Sequence, residues 1–203
     1  MSTLFSRFYR KPAVNKTLHV VGLNASPRSQ GNCSLLLSAA LTAAEQAGCR
    51  TTSILLNDLA IRPCQACATP AANGTCVFND DMQRVYAAID NCDAVILASP
   101  VYFGSISAQA KLMIDRYQCR WQLQQAQTTA APLRRGAFFC VQAGKRDDFF
   151  ANSRAVVKNW FATISAEYTA ELLCPGFEAA GSIAQAPQML EQARQIVGKL
   201  ISS

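Results

Sequence analysis

Acidic residues are missing from the start of this chain. The first is Glu45, whereas Arg7, Arg10, Lys11, Lys16 and Arg28 all stand before residue 29. Five of the six net positive charges therefore lie in that stretch, and the rest of the chain is close to neutral. A nucleic-acid-binding domain spreads basic residues through its folded part, so no nucleic-acid partner is expected. Histidine is nearly absent. His19 is the only one, which excludes histidine-rich metal centres and argues against Ser–His or Cys–His hydrolysis. It sits inside an apolar run and reads as structural. No apolar run reaches the roughly 18–20 residues of a membrane span, so no membrane partner is expected. Charged residues are scarce, at 16% of 203, and half the chain is apolar; disorder is excluded and one sizeable core is expected. Nine cysteines, an odd number, argue against a fully paired disulfide framework.

Residues 1–16 (MSTLFSRFYRKPAVNK) read as a basic arm ahead of a single domain over 17–203. The arm lacks the apolar core of a secretory signal, though its composition also suits an organellar transit peptide. The preferred reading is a tail, or an arm packing Phe5, Phe8 and Tyr9 on a neighbouring subunit of a cytoplasmic protein.

From Thr17 on, strand-like and helix-like stretches alternate. Leu18–Leu23, Thr52–Leu56, Ala94–Ala98, Ala137–Gln142 and Ala166–Leu173 read as strands. Between and after them, Asn32–Ala47, Met82–Ile89 behind Asp80-Asp81 caps, the stretch holding Ala110 to Tyr117, Phe149 to Ile164, and Leu190 to Ile201 carry helical spacing. Residues 59–79 break the rhythm with prolines and three cysteines. Five strands alternating with five helices imply a doubly wound α/β sheet, helices on both faces. Its ligand belongs beyond the carboxyl ends of the strands.

The loop after the first strand, Ser26 to Ser34, runs straight into a helix. Free backbone N–H groups there, Ser and Asn side chains and the charge of Arg28 suit a terminal phosphate. A capped loop with no ligand is the plainer alternative. Neither GxxxxGK(S/T) nor GxGxxG is present, which excludes a triphosphatase P-loop and the usual dinucleotide fingerprint. The loop after the third strand, Ser99-Pro100-Val101-Tyr102-Phe103-Gly104-Ser105, offers aromatics beside a glycine that lets backbone approach a planar ring.

The combination SPRSQGNCS, PCQAC…GTC, NDDM and SPVYFGSISAQAKLMIDR resembles the flavodoxin-like NAD(P)H-dependent FMN reductases, in the branch of iron–sulfur flavoproteins and their cluster-lacking relatives. The resemblance implies a five-stranded parallel sheet of order 2-1-3-4-5, non-covalent FMN, and a homodimer or homotetramer. It implies that Ser26, Arg28, Gly31, Asn32 and Cys33 hold the phosphate and that Pro100, Val101, Tyr102, Phe103 and Gly104 line the isoalloxazine. Ala143 and Gly144 match the third flavin loop. The implied activity moves electrons from NAD(P)H through FMN to a quinone, flavin or partner protein, with no catalytic side chain required. The alternative is an FMN electron carrier that does not itself oxidise NAD(P)H.

The cysteines depart from the pattern. Cys64, Cys67 and Cys76 keep the frame of an iron–sulfur site, but Pro70 stands at the third ligand position. A four-iron cluster takes four thiolates. A loop that only packs is the leading reading; a three-thiolate cluster completed by a distant Cys92 or Cys119, a zinc site, or a Cys64–Cys67 disulfide remain open. Cys33, at a helix start, is the one other cysteine expected to ionise readily. Asp115-Arg116 reads as a surface or intersubunit ion pair, and Lys111 as a solvated residue.

Overall fold

The alternating pattern becomes a parallel sheet with helices on both faces. The computed structural model describes residues 17–67, 74–126 and 134–202; the basic arm lies outside them. β1 (His19–Asn24) is buried along its whole length, flanked by β2 (Arg50–Leu55) and β3 (Ala94–Tyr102). The short β4 (Ser105–Ile106) folds back on the end of β3. β5 (Arg134–Gln142) pairs with β3 and β6 (Ala166–Pro175) with β5, both parallel. The order β2-β1-β3-β5-β6 is the expected 2-1-3-4-5 once the antiparallel β4 is set aside.

Side chains of a strand point alternately to its two faces, and this divides the core in two. Val20, Ile96 and Phe139 lie with Leu36 and Leu37 of α1 (Asn32–Gln46) and Val197 and Leu200 of α6 (Pro187–Ile201). Val21, Val95, Leu97 and Phe138 lie with residues of three other helices. These are Met82 and Val85 of α2 (Met82–Asp90), Met113 of α3 (Ala108–Asp115) and Trp160 and Phe161 of the helix Asp148–Thr163. Gly22 lets α1 lie close on β1: a Cβ there would stand 2.9 Å from both Leu37 and Leu41. His19 is structural, as expected. Its ring nitrogens meet the Asn91 carbonyl and Thr52 Oγ1, each at 2.9 Å.

Two expectations change. The helix expected across Ala110 to Tyr117 ends at Asp115, because i→i−3 bonds from Arg116 and Tyr117 to Met113 and Ile114 tighten the chain into a turn, and a helix not expected from the sequence follows. α4 (Gln118–Ala126) follows it, so the helix Asp148–Thr163 is α5. β3 also runs beyond Ala98, into the loop expected to meet the ligand ring.

Candidate functional site

Chain leaves β1 toward one edge of the sheet and β3 toward the other, so a crevice opens between their carboxyl ends. A cleft of about 200 Å³ lies there. Ser26, Arg28, Gly31, Asn32 and Cys33 line one side; Pro100, Val101 and Tyr102 line another; Ala143 joins from the loop after β5. Phe103, Gly104 and Gly144 are not part of this lining.

The first loop is built by its side chains and leaves its backbone to the cleft. Asn24 Oδ1 accepts from the Ser26 N–H at 3.0 Å, and Ser26 Oγ from the Arg28 N–H at 3.1 Å. Asn32 is engaged with the segment after β6: its Nδ2 donates to the Ala179 carbonyl and its Oδ1 accepts from the Ile183 N–H, both at 3.0 Å. The Ser26 and Asn32 side chains expected to meet a phosphate line the cleft and also shape the loop through these bonds. What faces an anion is the start of α1, where Gly31 provides no side-chain cap. The first-turn N–H groups of Asn32, Cys33 and Ser34 have no intrahelical acceptors. Gly31 is required by proximity, since a Cβ would meet Arg28 Cβ at 3.0 Å and the Arg28 carbonyl at 3.1 Å. Arg28 reaches over the cleft and donates to the Glu178 carbonyl at 3.0 Å. Cys33 behaves opposite to expectation. Burial, reinforced by Cys174, pushes its thiol up to about 12 and outweighs the helix start. Its side chain belongs to the core and its backbone to the cleft.

The second loop is a hairpin. Tyr102 pairs with Ser105 across Phe103 and Gly104, whose φ angles are +50° and +76°. Two positive φ values are what a two-residue type I′ turn requires. Phenylalanine in that region is strained by about 1–3 kcal/mol, and its ring is fully exposed. The hairpin is fixed from below by a 2.9 Å bond from Asn152 Nδ2 to the Gly104 carbonyl and by Phe149 beneath Gly104. Two buried serines brace it to the first loop. Ser99 Oγ accepts from the Ser107 N–H at 3.0 Å; Ser107 Oγ donates to the Ala25 carbonyl at 2.6 Å and caps α3 through the Ala110 N–H.

Four contributors were not foreseen: Val141, Gln142, Phe177 and Glu178. The segment after β6 is drawn in by Asn32 and by a 3.0 Å bond from the Phe177 N–H to the Gln142 carbonyl. Gly144 contributes through its own carbonyl, which accepts from the Gly176 N–H at 3.0 Å. Gln142 is buried, its Nε2 donates to the Arg146 carbonyl, and its Oε1 has no partner.

The sequence profile of the NADPH-dependent FMN reductases matches residues 18–167. The chain belongs to that family. Among curated relatives, iron–sulfur flavoproteins of Methanocaldococcus jannaschii and Archaeoglobus fulgidus are 39% and 41% identical over 99 residues each. Those matches take in 49% of this chain and 51% and 45% of the relatives. The chain thus spans about half the length of the curated relatives it matches. Its fold is similar to an NAD(P)H:quinone oxidoreductase from Methanothermobacter marburgensis (TM-score 0.69, 16% identity, 89% of this chain and 98% of that one). It is also similar to a flavone reductase (TM-score 0.69, 16% identity, 90% and 62%).

The cleft of this family member fits FMN. An uncapped helix start and an arginine suit its phosphate, and Gln142, whose buried Oε1 has no partner, is one of the residues lining the same cleft.

The described part of the cysteine loop shows no assembled iron–sulfur site of the kind its relatives' names imply. Cys64, Cys67 and Cys76 do line one cavity, and Cys119 of α4 joins them. That cavity is about 30 Å³, room for a water or two. Among the described residues no three His, Cys, Asp or Glu side chains are grouped to hold a metal ion. Pro70 lies outside the described residues. Arg116 occupies the ground beside the loop. It is not the expected surface pair but 1% exposed. Its guanidinium bonds Asp80 at 2.6 and 3.1 Å, the Arg62 carbonyl at 2.8 Å and Cys76 Sγ at 3.2 Å. Lys111 instead takes Asp115, at 2.7 Å. Of the two acids expected as helix caps, Asp80 accepts from the Met82 N–H at 3.1 Å and Asp81 makes no side-chain capping bond; both pin the loop instead, accepting from the Arg62 and Ala60 N–H groups at 3.0 and 2.8 Å.

Proposed function

We propose that the chain oxidises NAD(P)H and passes the electrons, through bound FMN, to a quinone, flavin or similar small acceptor. One observation carries this reading: a single cleft at the carboxyl end of the sheet gathers an anion-binding helix start, an aromatic hairpin and an orphaned buried amide oxygen. When bound, FMN supplies the hydride-accepting and electron-donating chemistry. The chain's own residues bind and orient. The N–H groups at the start of α1 and Arg28 take the phosphate; Pro100, Val101 and Tyr102 border the ring; Gln142 Oε1 accepts from the cofactor. Cys33 takes no part in proton transfer at neutral pH, since burial holds its thiol protonated.

The reading is tested by loading the chain with FMN and following oxidation of NADH and NADPH with menadione. Turnover with either supports it. FMN bound without turnover makes the chain an electron-transfer flavoprotein, and failure to take up FMN overturns both. The reading includes a cytoplasmic homodimer or homotetramer, which sedimentation of the loaded protein checks. Among the described residues no helix is long and apolar enough to cross a membrane.

A further inference from the structure

A second cavity, of about 180 Å³, lies at the amino end of the sheet. It opens between the last residues of α2, the side of α4, the first residue of β5 and the link from α5 to β6. None of its lining residues takes part in the flavin cleft, which borders Gln142 at the far end of β5, roughly 25 Å along the strand.

Two buried groups in its lining lack partners. Tyr117 is 4% exposed and its hydroxyl makes no hydrogen bond; Arg120 Nε is also buried and makes none. Leaving such a group unsatisfied costs about 1–3 kcal/mol. Burial, then Tyr86 and Asp90, hold the Tyr117 hydroxyl well above its ordinary range, with Arg120 acting the other way. It keeps its proton and can donate. Asp90 and Arg120, whose charges it feels, line the same cavity. Both donors are held in place. The Tyr117 ring packs edge-on to Tyr86 and Trp160, and the Arg120 guanidinium lies 5.1 Å from the Tyr86 ring centre.

The charges do not cancel. Arg120 Nη2 pairs with Asp90 at 2.8 Å. Arg134 donates to the carbonyls of Ile89, Ile164 and Asp90 at 2.9, 2.8 and 3.2 Å, which offsets the negative C-terminal ends of α2 and α5. Among the described residues it meets no carboxylate. One positive charge is therefore left over in the lining. Ile89, Leu123 and Ile164 add apolar surface. A water takes about 30 Å³ in the liquid, so the space is more than one or two bridging waters fill.

We propose that this cavity binds a small organic carboxylate, whose oxygens accept from the Tyr117 hydroxyl and Arg120 Nε and whose apolar body lies against Ile89, Leu123 and Ile164. An inorganic anion would leave the apolar wall unused, and a neutral amide would leave the surplus charge unmet.

The test titrates benzoate, benzamide and inorganic phosphate into the full chain, with and without FMN, by calorimetry. Benzoate is expected to saturate a single class of site with a millimolar or tighter Kd, and the other two to bind at least about tenfold more weakly. Added FMN should leave the benzoate affinity within about twofold. Tyr117→Phe and Arg120→Lys, which keeps the charge and lacks the Nε donor, should each weaken benzoate at least about fivefold. Without benzoate, Tyr117→Phe should melt at least as high as wild type, since it removes an unsatisfied hydroxyl. No saturation by about 10 mM benzoate overturns the proposal. Equal binding of phosphate or benzamide overturns it too, because the carboxylate is then not what is recognised. Loss of benzoate binding on adding FMN places the probe in the flavin cleft and also overturns it. So does a lower melting temperature of Tyr117→Phe with benzoate affinity unchanged, which gives the hydroxyl to a structural water.

Discussion

Arg28 and Cys33 stand five residues apart at the same loop and carry opposite lessons. Arg28 is exposed, and its guanidinium donates to the Glu178 carbonyl at the rim of the cleft, within reach of an anion there. A charge-assisted bond of this kind contributes about 1.5–3 kcal/mol. Arg28→Ala is therefore expected to weaken FMN binding by at least tenfold, read by flavin fluorescence, while the melting temperature of the FMN-free protein barely moves. Cys33 is sealed. With its thiol pushed up to about 12, it should resist iodoacetamide at pH 8 in folded protein and react only on unfolding, which peptide mass mapping checks. Burial likewise raises Cys92 to about 11 and Cys174 to about 12. The position of Cys33 at a helix start was legible in the sequence. The direction of its side chain was not, because the first turn presents backbone to the cleft and side chain to the core, and only the packed helix decides which residue does which. Gln142 was hidden for a similar reason. A lone glutamine at the end of an apolar strand carries no pattern, and its orphaned oxygen exists only once Phe177 and Arg146 have taken its other groups.

Two elements hold the site in place. Ser107 caps α3, meets Ser99 and donates to the buried Ala25 carbonyl. Ser107→Ala removes a cap and orphans that carbonyl, and about 2–4 kcal/mol of stability should be lost in urea melts. Arg116 holds the cysteine loop through Asp80. Burial alone would raise the Asp80 carboxyl, but the Arg116 bond and the Arg62 and Met82 N–H groups win and hold it below the usual carboxylate range. A lowered pKa stabilises the fold above the unfolded-state value near 4, and that contribution disappears as pH falls through the lower folded-state value. The stability difference between wild type and Asp80→Asn should therefore shrink as urea melts are taken from pH 6 down toward pH 3. Arg116→Leu leaves Asp80 without its partner and is expected to cost about 3–5 kcal/mol at pH 7. The strands and the first helix were readable because their apolar periods are clear. The β3–β4 hairpin was not: such a turn is usually announced by Asn-Gly or Asp-Gly, and here Phe103-Gly104 takes its place. The end of α3 at Asp115 escaped because the apolar period runs on through Tyr117, which the structure places in the turn before α4.

At the scale of the molecule, the flavin site and the cysteine loop have separated in fate. The cleft has what FMN needs, while the loop has three framed thiols, no grouped metal ligands among the described residues and a guanidinium on Cys76. Protein purified without oxygen is expected to show a flavin spectrum and less than about a tenth of an iron or acid-labile sulfide per chain, with no change after treatment with a chelator. The open helix start and the unpartnered Gln142 oxygen carry a last consequence. Without its ligand, the chain keeps polar groups that nothing in the fold satisfies. A ligand at a hundred times its dissociation constant adds about 2.7 kcal/mol to the folded state. The number of intact copies in a cell would then follow the riboflavin supply, with proteases clearing chains that mature before a cofactor reaches them.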